Sequence, residues 1–248
     1  NTSGLSLGAD TRLKSDWVVG GAFTYAKTDV GLNDLRNGDS SDLDTYQLTG
    51  YASRDFGAWY LDAMLAYARQ QFETERYSGL GSVAKGDFSG NQWSTKVEAG
   101  YPIALTEQLS LTPLAGLEWT RLELNSYTEK NAGALSLHVD EQNGDTSNSL
   151  LGARLEMNIP MTGEYRLKPS AHAMWRHQFQ NNGIDTSASL LGGGGSFTTP
   201  GQDMQRDNYT LGVAVDLQQR DGSSVSLQLD SLSATGLEAY AAQLQANW

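Results

Sequence analysis

Apolar and polar residues alternate along much of this chain, as they do in strands that have one apolar face. Between Trp59 and Tyr67 every odd position is apolar, whereas the even positions mix Tyr and Met with Asp and Ala. A period of two places successive side chains on opposite faces of a strand. The pattern therefore predicts an all-β chain whose strands each carry one apolar face.

Pairs of aromatic residues eight positions apart recur on the apolar side of this alternation. Eight steps of roughly 3.3 Å, tilted by about 40°, cover about 20 Å, which is close to the height of the apolar band of a transmembrane β-barrel. The core of a soluble β-sandwich, the rival class, does not require aromatic rings at both ends of a strand. The pairs are Trp17 with Tyr25, Trp59 with Tyr67, Trp93 with Tyr101, and Tyr240 with Trp248.

The alternation divides residues 1–248, taken as one domain, into eleven candidate strands of an antiparallel up-and-down transmembrane β-barrel. Bacterial single-chain barrels have even strand numbers, so we expect a total of twelve, with the first strand lying before Asn1. The candidates are Gly4–Leu13, Trp17–Thr28, Asp44–Arg54, Ala58–Phe72, Phe88–Ile103, Gln108–Glu123, Thr146–Ile159, Tyr165–Phe179, Met204–Gln218, Ser223–Leu232 and Leu237–Trp248.

Short and long connections alternate between these strands. The exception is Ser233–Gly236, which is a short connection at the end of the strands where the other connections are long. Barrels of this class have short periplasmic turns and longer extracellular loops, which predicts that the last strand descends to a periplasmic C-terminus. Because bilayer-spanning edges must be paired, the first and last strands are expected to need a further strand between them. The long connections are about Asp29–Leu43, Glu73–Asp87, Leu124–Asp145 and Gln180–Asp203.

Two of the prolines inside candidate strands occupy matching positions. Pro113 and Pro169 occupy the same place in two copies of an L-x-P-x-A-x-x-x-W pattern, each of which follows a short turn. Proline cannot donate a hydrogen bond to the strand ladder. We therefore expect a bulge or a local gap in pairing at each proline.

Charged residues of both signs share the parity opposite to the aromatic residues, which predicts a polar lumen. They either solvate a pore and pair with one another, or hold a segment threaded through it. Outward-parity basic residues such as Arg54, Arg69, Arg121 and His177 fall at strand ends, whereas Arg or Lys at the bilayer midplane would cost roughly 2–4 kcal/mol. The predicted lumen residues are Asp10, Arg12, Asp62, Lys96, Glu98, Glu118, Arg154, Glu156, Arg166, Lys168, Arg176 and Asp216.

The complementary outward set forms the predicted aromatic girdles at the two membrane interfaces. Tyr and Trp are favoured there because their rings are apolar and their tips are polar. A register shift of one residue would exchange the two faces and reverse every assignment. The girdle residues are Trp17, Tyr25, Trp59, Tyr67, Trp93, Tyr101, Trp119, Tyr209 and Tyr240, with Trp248 at the chain end.

The amino-acid composition argues against several classes of function. A formal net charge of −12 disfavours a nucleic-acid partner, and the absence of cysteine excludes disulfides and thiolate metal sites. Three separated histidines predict neither a metal nor a cofactor. An outer-membrane phospholipase would need a serine hydrogen-bonded to a histidine near the outer interface, and no serine is compellingly placed on the face of His177. We expect no catalysis by this chain.

Three parts of the chain resemble, in this order, the autotransporter β-domain of type V secretion. They are Gly4–Leu13 with Trp17–Tyr25, Glu98–Tyr101 with Leu111–Pro113, and Leu167–Pro169 with Trp175 and His177. The final strand, with Tyr240, Leu244 and Trp248, resembles the C-terminal signal by which outer-membrane barrels enter their assembly machinery. The resemblance implies a twelve-stranded barrel whose lumen holds a helix that links it to an exported N-terminal passenger.

The chain is therefore expected to be the outer-membrane translocator of a Gram-negative bacterium that exports and anchors its own passenger. Expected partners are outer-membrane lipid, the passenger segment, and barrel assembly machinery that could pair with an open strand edge. Because the sequence begins with Asn1, it is read as a fragment of a longer protein. The alternatives are a small-solute outer-membrane channel and an outer-membrane phospholipase or protease.

Overall fold

The computed structural model describes a single large antiparallel β-sheet of eleven long strands, which we number β1–β11 in chain order. The described residues are 1–31, 39–78, 81–181, 184–201, 206–234 and 237–248. The strands are β1 Thr2–Arg12, β2 Trp17–Gly31, β3 Ser40–Asp55, β4 Tyr60–Tyr77, β5 Val83–Gly100, β6 Leu109–Leu124, β7 Gln142–Met157, β8 Tyr165–Asn181, β9 Asp207–Gln219, β10 Ser224–Ala234 and β11 Leu237–Asn247.

Each long strand pairs with the strands that precede and follow it in the sequence, from β1 through to β11. This up-and-down antiparallel order confirms the predicted strand number and architecture. Within the described ranges no register joins β1 to β11, so the sheet has two open edges. No helix among these residues is both long and apolar enough to cross a bilayer.

Strands β3, β4 and β5 extend further toward the long connections than the apolar alternation predicts. The predicted loop Glu73–Asp87 is instead mostly a hairpin, in which Glu73 pairs with Asp87 and Glu75 with Lys85. Both faces are polar in this extension, so no hydrophobic alternation marked it. At the other end of the chain Met204, predicted to begin a strand, lies outside the described residues.

The two longest predicted loops also contain regular structure. Tyr127–Thr128, Leu137–Val139, Thr186–Leu190 and Phe197–Thr199 form a separate four-stranded sheet, which we call the loop sheet. Reciprocal backbone hydrogen bonds between Lys85 and Lys130, of 2.9 and 2.8 Å, join it to β5. The treatment of Leu124–Asp145 and Gln180–Asp203 as plain connections was therefore wrong in detail, because strands of two to five residues are too short to show a period.

At both prolines the ladder is interrupted but keeps its register. On the β5 side of Pro113, pairing stops at Gly100–Leu114 and resumes at Ile103–Leu111. On the β7 side of Pro169, it stops at Glu156–Ser170 and resumes at Ile159–Leu167. These are the expected local gaps, caused by the missing proline N–H, and no residue is inserted.

Glycines allow side chains on alternate strands to meet over the strand between them. Gly20 lies in register between Asp10 and Tyr51, and the Tyr51 hydroxyl donates to Asp10 Oδ2 at 2.9 Å. A Cβ added at Gly20 would approach the Tyr51 ring within 2.4 Å. Only a residue without a side chain leaves room for this contact, which links β1 to β3 across β2.

Candidate lumen and membrane-facing surface

One face of the sheet holds a polar cavity of about 410 Å³ whose lining comes from six consecutive strands, β5 to β10. All its lining side chains have the parity opposite to that of the aromatic pairs. The structure thus brings half of the predicted lumen residues to one cavity. These six are Lys96, Glu98, Arg154, Glu156, Lys168 and Asp216.

Charges of both signs meet in this cavity. The Lys96 ammonium lies 3.0 Å from the Glu98 carboxylate, and Glu98 is only 9% exposed. The Oδ1 atom of Asp216 is enclosed and has no hydrogen-bond partner in the described structure. A buried polar atom without a partner carries a desolvation cost, so this carboxylate oxygen is not fully satisfied in the described structure.

Two other predicted lumen residues pair across an intervening strand. Arg176 Nε on β8 lies 3.1 Å from Glu118 Oε2 on β6, reaching over β7. The contact is an ion pair without good hydrogen-bond geometry at Nε. Such a pair between alternate strands requires both side chains to project from the same face.

The N-terminal strands add a smaller cavity of about 240 Å³ on the same face, and it shares Lys96 and Glu98 with the larger one. Asp62 lines it and accepts a 2.5 Å hydrogen bond from the Ser53 hydroxyl. Asp10 lies further out and is held by Tyr51. Arg12 and Arg166 are exposed at the short-turn ends of β1 and β8, and neither residue lines either of these two cavities.

A histidine–carboxylate contact on this face was not predicted. His172 Nε2 on β8 lies 3.2 Å from Asp230 Oδ1 on β10, and Gly212 of β9 lies between them in register. A Cβ at Gly212 would fall 2.1 Å from the carboxylate oxygen. The corresponding signal in the sequence is a glycine that has a histidine and a carboxylate opposite it on the two neighbouring strands. This arrangement can be recognised only when the register of the strands is known.

The opposite face is apolar and open. It carries a broad depression of about 640 Å³, in which Ala153, Ala171 and Ala173 are bordered by larger residues such as Leu155 and Val213. Large aliphatic side chains are exposed along this face, including Leu5, Leu117 and Leu211, each more than 60% accessible. Extended apolar exposure of this kind marks a surface made for a lipid or protein neighbour.

The predicted girdle residues lie on this apolar face, near the two ends of the strands. Toward the long connections, Tyr67 pairs in register with Trp93 at 4.8 Å between ring centroids, and Tyr25 pairs with Tyr46 at 5.3 Å. Trp119, Tyr209 and Tyr240 extend this long-loop band. Trp17, Trp59 and Tyr101 form the short-turn band at the other end. Tyr46 and Trp175, which pairs in register with Tyr209, were not among the predicted girdle residues.

The proposed assembly signal lies on the open edge strand β11 and the residue that follows it. Tyr240, Leu244 and Trp248 are 78, 74 and 97% exposed. Tyr240 and Leu244 pair in register with Ser231 and Leu227 of β10, so they share the apolar face. An edge strand with exposed apolar side chains is an available template for another strand.

The loop sheet is fixed to the extended β4–β5 hairpin by a buried ion pair. Arg76 donates to both carboxylate oxygens of Glu129, at 2.9 and 2.6 Å, and Glu129 is only 5% exposed. Hydrogen bonding to Glu129 raises the pKa of Arg76 above its ordinary value. Glu129 also accepts the Leu137 N–H at 2.8 Å, and Tyr127 stacks on Phe88 at 4.2 Å.

The structure offers no constellation for metal binding: among the described residues, no three histidine or acidic side chains converge on one point. His138 and His177 each approach a carboxylate, at 3.7 and 2.8 Å, and His172 lies against Asp230.

A curled antiparallel sheet with one charged and one apolar face defines a β-barrel domain of the outer-membrane type. The chain belongs to the family described as "Autotransporter beta-domain", whose sequence profile matches residues 1–230. It is therefore the translocator domain of an autotransporter, and the family assignment disfavours a small-solute channel.

Similar proteins agree with this assignment. "Outer membrane protein A" of Rickettsia conorii is 27% identical over 225 residues, which cover 87% of this chain but 11% of that protein. The protein named "Lipase 1" of Photorhabdus luminescens is 23% identical, over 90% of this chain and 34% of its own length. The chain thus spans only a minor part of these relatives.

Two solved structures share the fold over nearly the whole chain. The translocator domain of autotransporter NalP from Neisseria meningitidis matches with a TM-score of 0.79 at 15% identity, covering 99% of this chain and 79% of that one. The β-domain of the Bordetella autotransporter BrkA matches with a TM-score of 0.73 at 20% identity, covering 99% and 88%.

Proposed function

We propose that this chain exports the N-terminal part of its own protein across the outer membrane and then anchors it there. The observation that carries the proposal is the pairing of a mixed-charge cavity on one face with an apolar, aromatic-banded surface on the other. Lipid contacts the apolar face, and a passing chain segment occupies the charged face. A cavity that carries both signs of charge suits a segment that only passes through it, because neither an acidic nor a basic segment is bound tightly there.

The two aromatic bands and the alternation of short and long connections support the following membrane placement. The short-turn band lies at the periplasmic interface and the long-loop band at the outer interface, so the loop sheet is extracellular and the C-terminus periplasmic. The twelve predicted lumen residues then face the interior, and the nine girdle residues face lipid. Barrel assembly machinery recognises Tyr240, Leu244 and Trp248 on the open edge.

Cysteine labelling tests orientation directly, because the chain contains no cysteine of its own. In full-length protein on intact cells, Gly193→Cys in a long loop reacts with a membrane-impermeant maleimide. Asp221→Cys in a short turn reacts only after the outer membrane is permeabilised. The opposite labelling pattern would refute the topology.

The same approach tests which face meets lipid. Leu117→Cys and Glu118→Cys are neighbours on β6 that differ only in face. A lipid-soluble thiol probe labels Leu117→Cys severalfold faster than Glu118→Cys. Equal or reversed labelling would show that the two faces are misassigned.

Export itself is tested with an epitope placed in the upstream part of the full-length protein. Surface protease removes the epitope from wild-type cells. The double variant Arg154→Leu, Lys168→Leu retains an assembled barrel but shows several times less surface epitope, because two cavity charges are lost. Arg220→Gln, in an exposed short turn, is the matched control. An assembled wild-type barrel with a periplasmic epitope would contradict the proposal.

A further inference from the structure

Among the residues that the structure describes, one outward-facing cation at the short-turn end has no partner for its charge. Arg54 pairs in register with Trp17 of β2 and Leu61 of β4, which places it on the apolar face. Its side chain makes no hydrogen bond or ion pair with any described residue, and its Nε atom is enclosed without a partner. A guanidinium carries five N–H donors, so those that remain accessible need acceptors from outside the protein.

Aromatic rings hold this guanidinium in place. Its Cζ atom lies 4.8 Å from the centroid of the Phe56 ring and 5.7 Å from that of Trp17. Phe56 stacks on Trp59 at 4.3 Å with an interplanar angle of 9°, and meets Trp17 edge-on at 6.4 Å. Cation–π contacts orient an arginine without neutralising it, so the full positive charge is presented beside the short-turn band.

The basic side chains at the opposite end of the same face are arranged differently. Arg121 lies 2.8 Å from Glu123 and 3.8 Å from Asp145, and His177 lies 2.8 Å from Asp207. Arg69 donates to Asn91 and Ser89. At the long-loop end the protein supplies the acceptors itself. The absence of a protein acceptor for Arg54 among the described residues is therefore a local feature of the short-turn end and not a general property of the apolar face.

We propose that Arg54, framed by Trp17, Phe56 and Trp59, binds the phosphate of a membrane phospholipid at the periplasmic interface. A phosphodiester fits because a guanidinium can donate two parallel hydrogen bonds to its oxygens. The rings flank the glycerol and upper acyl region, which is the depth that Trp prefers. The proposal rests on the proposed membrane placement, since Arg54 must lie at headgroup level.

The test uses full-length protein reconstituted in nanodiscs that contain a trace of photoreactive lipid with the reactive group near the headgroup. Three probes are compared: phosphatidylglycerol, phosphatidylethanolamine and phosphate-free diacylglycerol. Crosslinks are mapped by mass spectrometry to the peptides that contain Trp17 and Phe56. Arg54→Gln is compared with wild type, and Arg220→Gln, a short-turn arginine without an aromatic frame, is the matched control.

In wild type we expect both phospholipids to crosslink at this site and diacylglycerol to crosslink weakly. Arg54→Gln lowers the phospholipid yield about tenfold, since a charge-assisted hydrogen-bond pair is lost. Arg220→Gln leaves it unchanged. Phe56→Leu, which keeps the charge but removes one ring, lowers it about threefold, and this second variant serves if Arg54→Gln does not assemble.

An unchanged phospholipid yield in Arg54→Gln would overturn the proposal. Equal crosslinking by diacylglycerol would show contact with acyl chains only. Suppression of the crosslink by about 50 mM inorganic phosphate would assign the site to free phosphate instead of a lipid. Export failure or reversed cysteine labelling, with this crosslink intact, would refute the proposed function and leave the phosphate contact standing.

Discussion

The middle and the edges of this sheet are built from the same kind of strand but differ sharply in burial. All eleven residues of β1 are exposed, as are residues 238–247 of β11. The central strands instead contain the enclosed residues, among them Ala66, Glu98, Leu114 and Leu150. Strand propensity alone therefore does not make a stable unit, because each edge still presents a row of unpaired backbone groups.

The largest effect is expected from completing the ring. A twelfth strand is expected from the rest of the protein, so full-length protein should migrate as a compact, heat-modifiable species in gel electrophoresis. Residues 1–248 alone should not, because unpaired backbone groups in lipid cost several kcal/mol each. A compact, heat-modifiable species formed by residues 1–248 without any added strand would contradict the importance of the edges.

Leucine truncation compares the two regions with identical chemistry. Leu150→Ala, in the middle at 3% exposure, should lower the free energy of unfolding by about 3 kcal/mol. Leu7→Ala, on edge strand β1 at 64% exposure, should cost less than about 1 kcal/mol. Urea unfolding of the full-length protein in vesicles measures both. Equal costs would mean that the edge is as well packed as the middle.

Two glycine-to-alanine variants test the side-chain contacts that cross a glycine on the strand between them. Gly212→Ala places a Cβ against Asp230 and His172 and should cost about 1–3 kcal/mol through overpacking. Gly50→Ala meets nothing within 4 Å and should be neutral or slightly stabilising. The same unfolding assay separates them, and a neutral Gly212→Ala would show that the His172–Asp230 contact is dispensable.

The buried ion pair of the loop sheet is expected to have a local effect. Glu129→Gln removes the charge that holds Arg76 while keeping the shape of the side chain. It should weaken the loop sheet by about 1–3 kcal/mol and leave the eleven-stranded sheet intact. Limited proteolysis should then cut within residues 186–199 several times faster, with an unchanged heat-modifiable band. Unchanged cleavage would show that Glu129 does not secure these strands.

The smallest effect is expected at a short turn and depends on pH. Hydrogen bonds from the Ser223 hydroxyl and N–H lower the pKa of Asp221 in the folded state. A lowered folded pKa stabilises the turn above the ordinary aspartate pKa, and this contribution is lost as the pH falls through the folded value. Asp221→Asn should therefore slightly flatten the fall of the unfolding midpoint with pH, at pH values below the ordinary aspartate pKa. An identical acid limb would exclude the contribution.

Arg154, Glu156 and Lys168 share the face that holds the polar cavity, and their place in a lumen stays a prediction. Alternation in the sequence was sufficient to predict the eleven strands and their order. It succeeded there because one face is consistently apolar. It failed where both faces are polar, as in the β4–β5 extension at Glu73–Arg76, and where strands are as short as Tyr127–Thr128. Contacts such as His172 with Asp230 depend on inter-strand register, which a single strand does not encode. Phe56 was missed because a lone aromatic residue in a turn has no periodic partner.

The Asp10–Tyr51 hydrogen bond over Gly20 has a mechanical consequence. Strand β1 is fastened to β3 as well as to β2, so pulling it away from the sheet must break a lateral tie in addition to unzipping one ladder. In the described structure no side-chain hydrogen bond ties β11 to β9 in the same way. Under load, the sheet should therefore peel from its C-terminal edge at lower force than from its N-terminal edge.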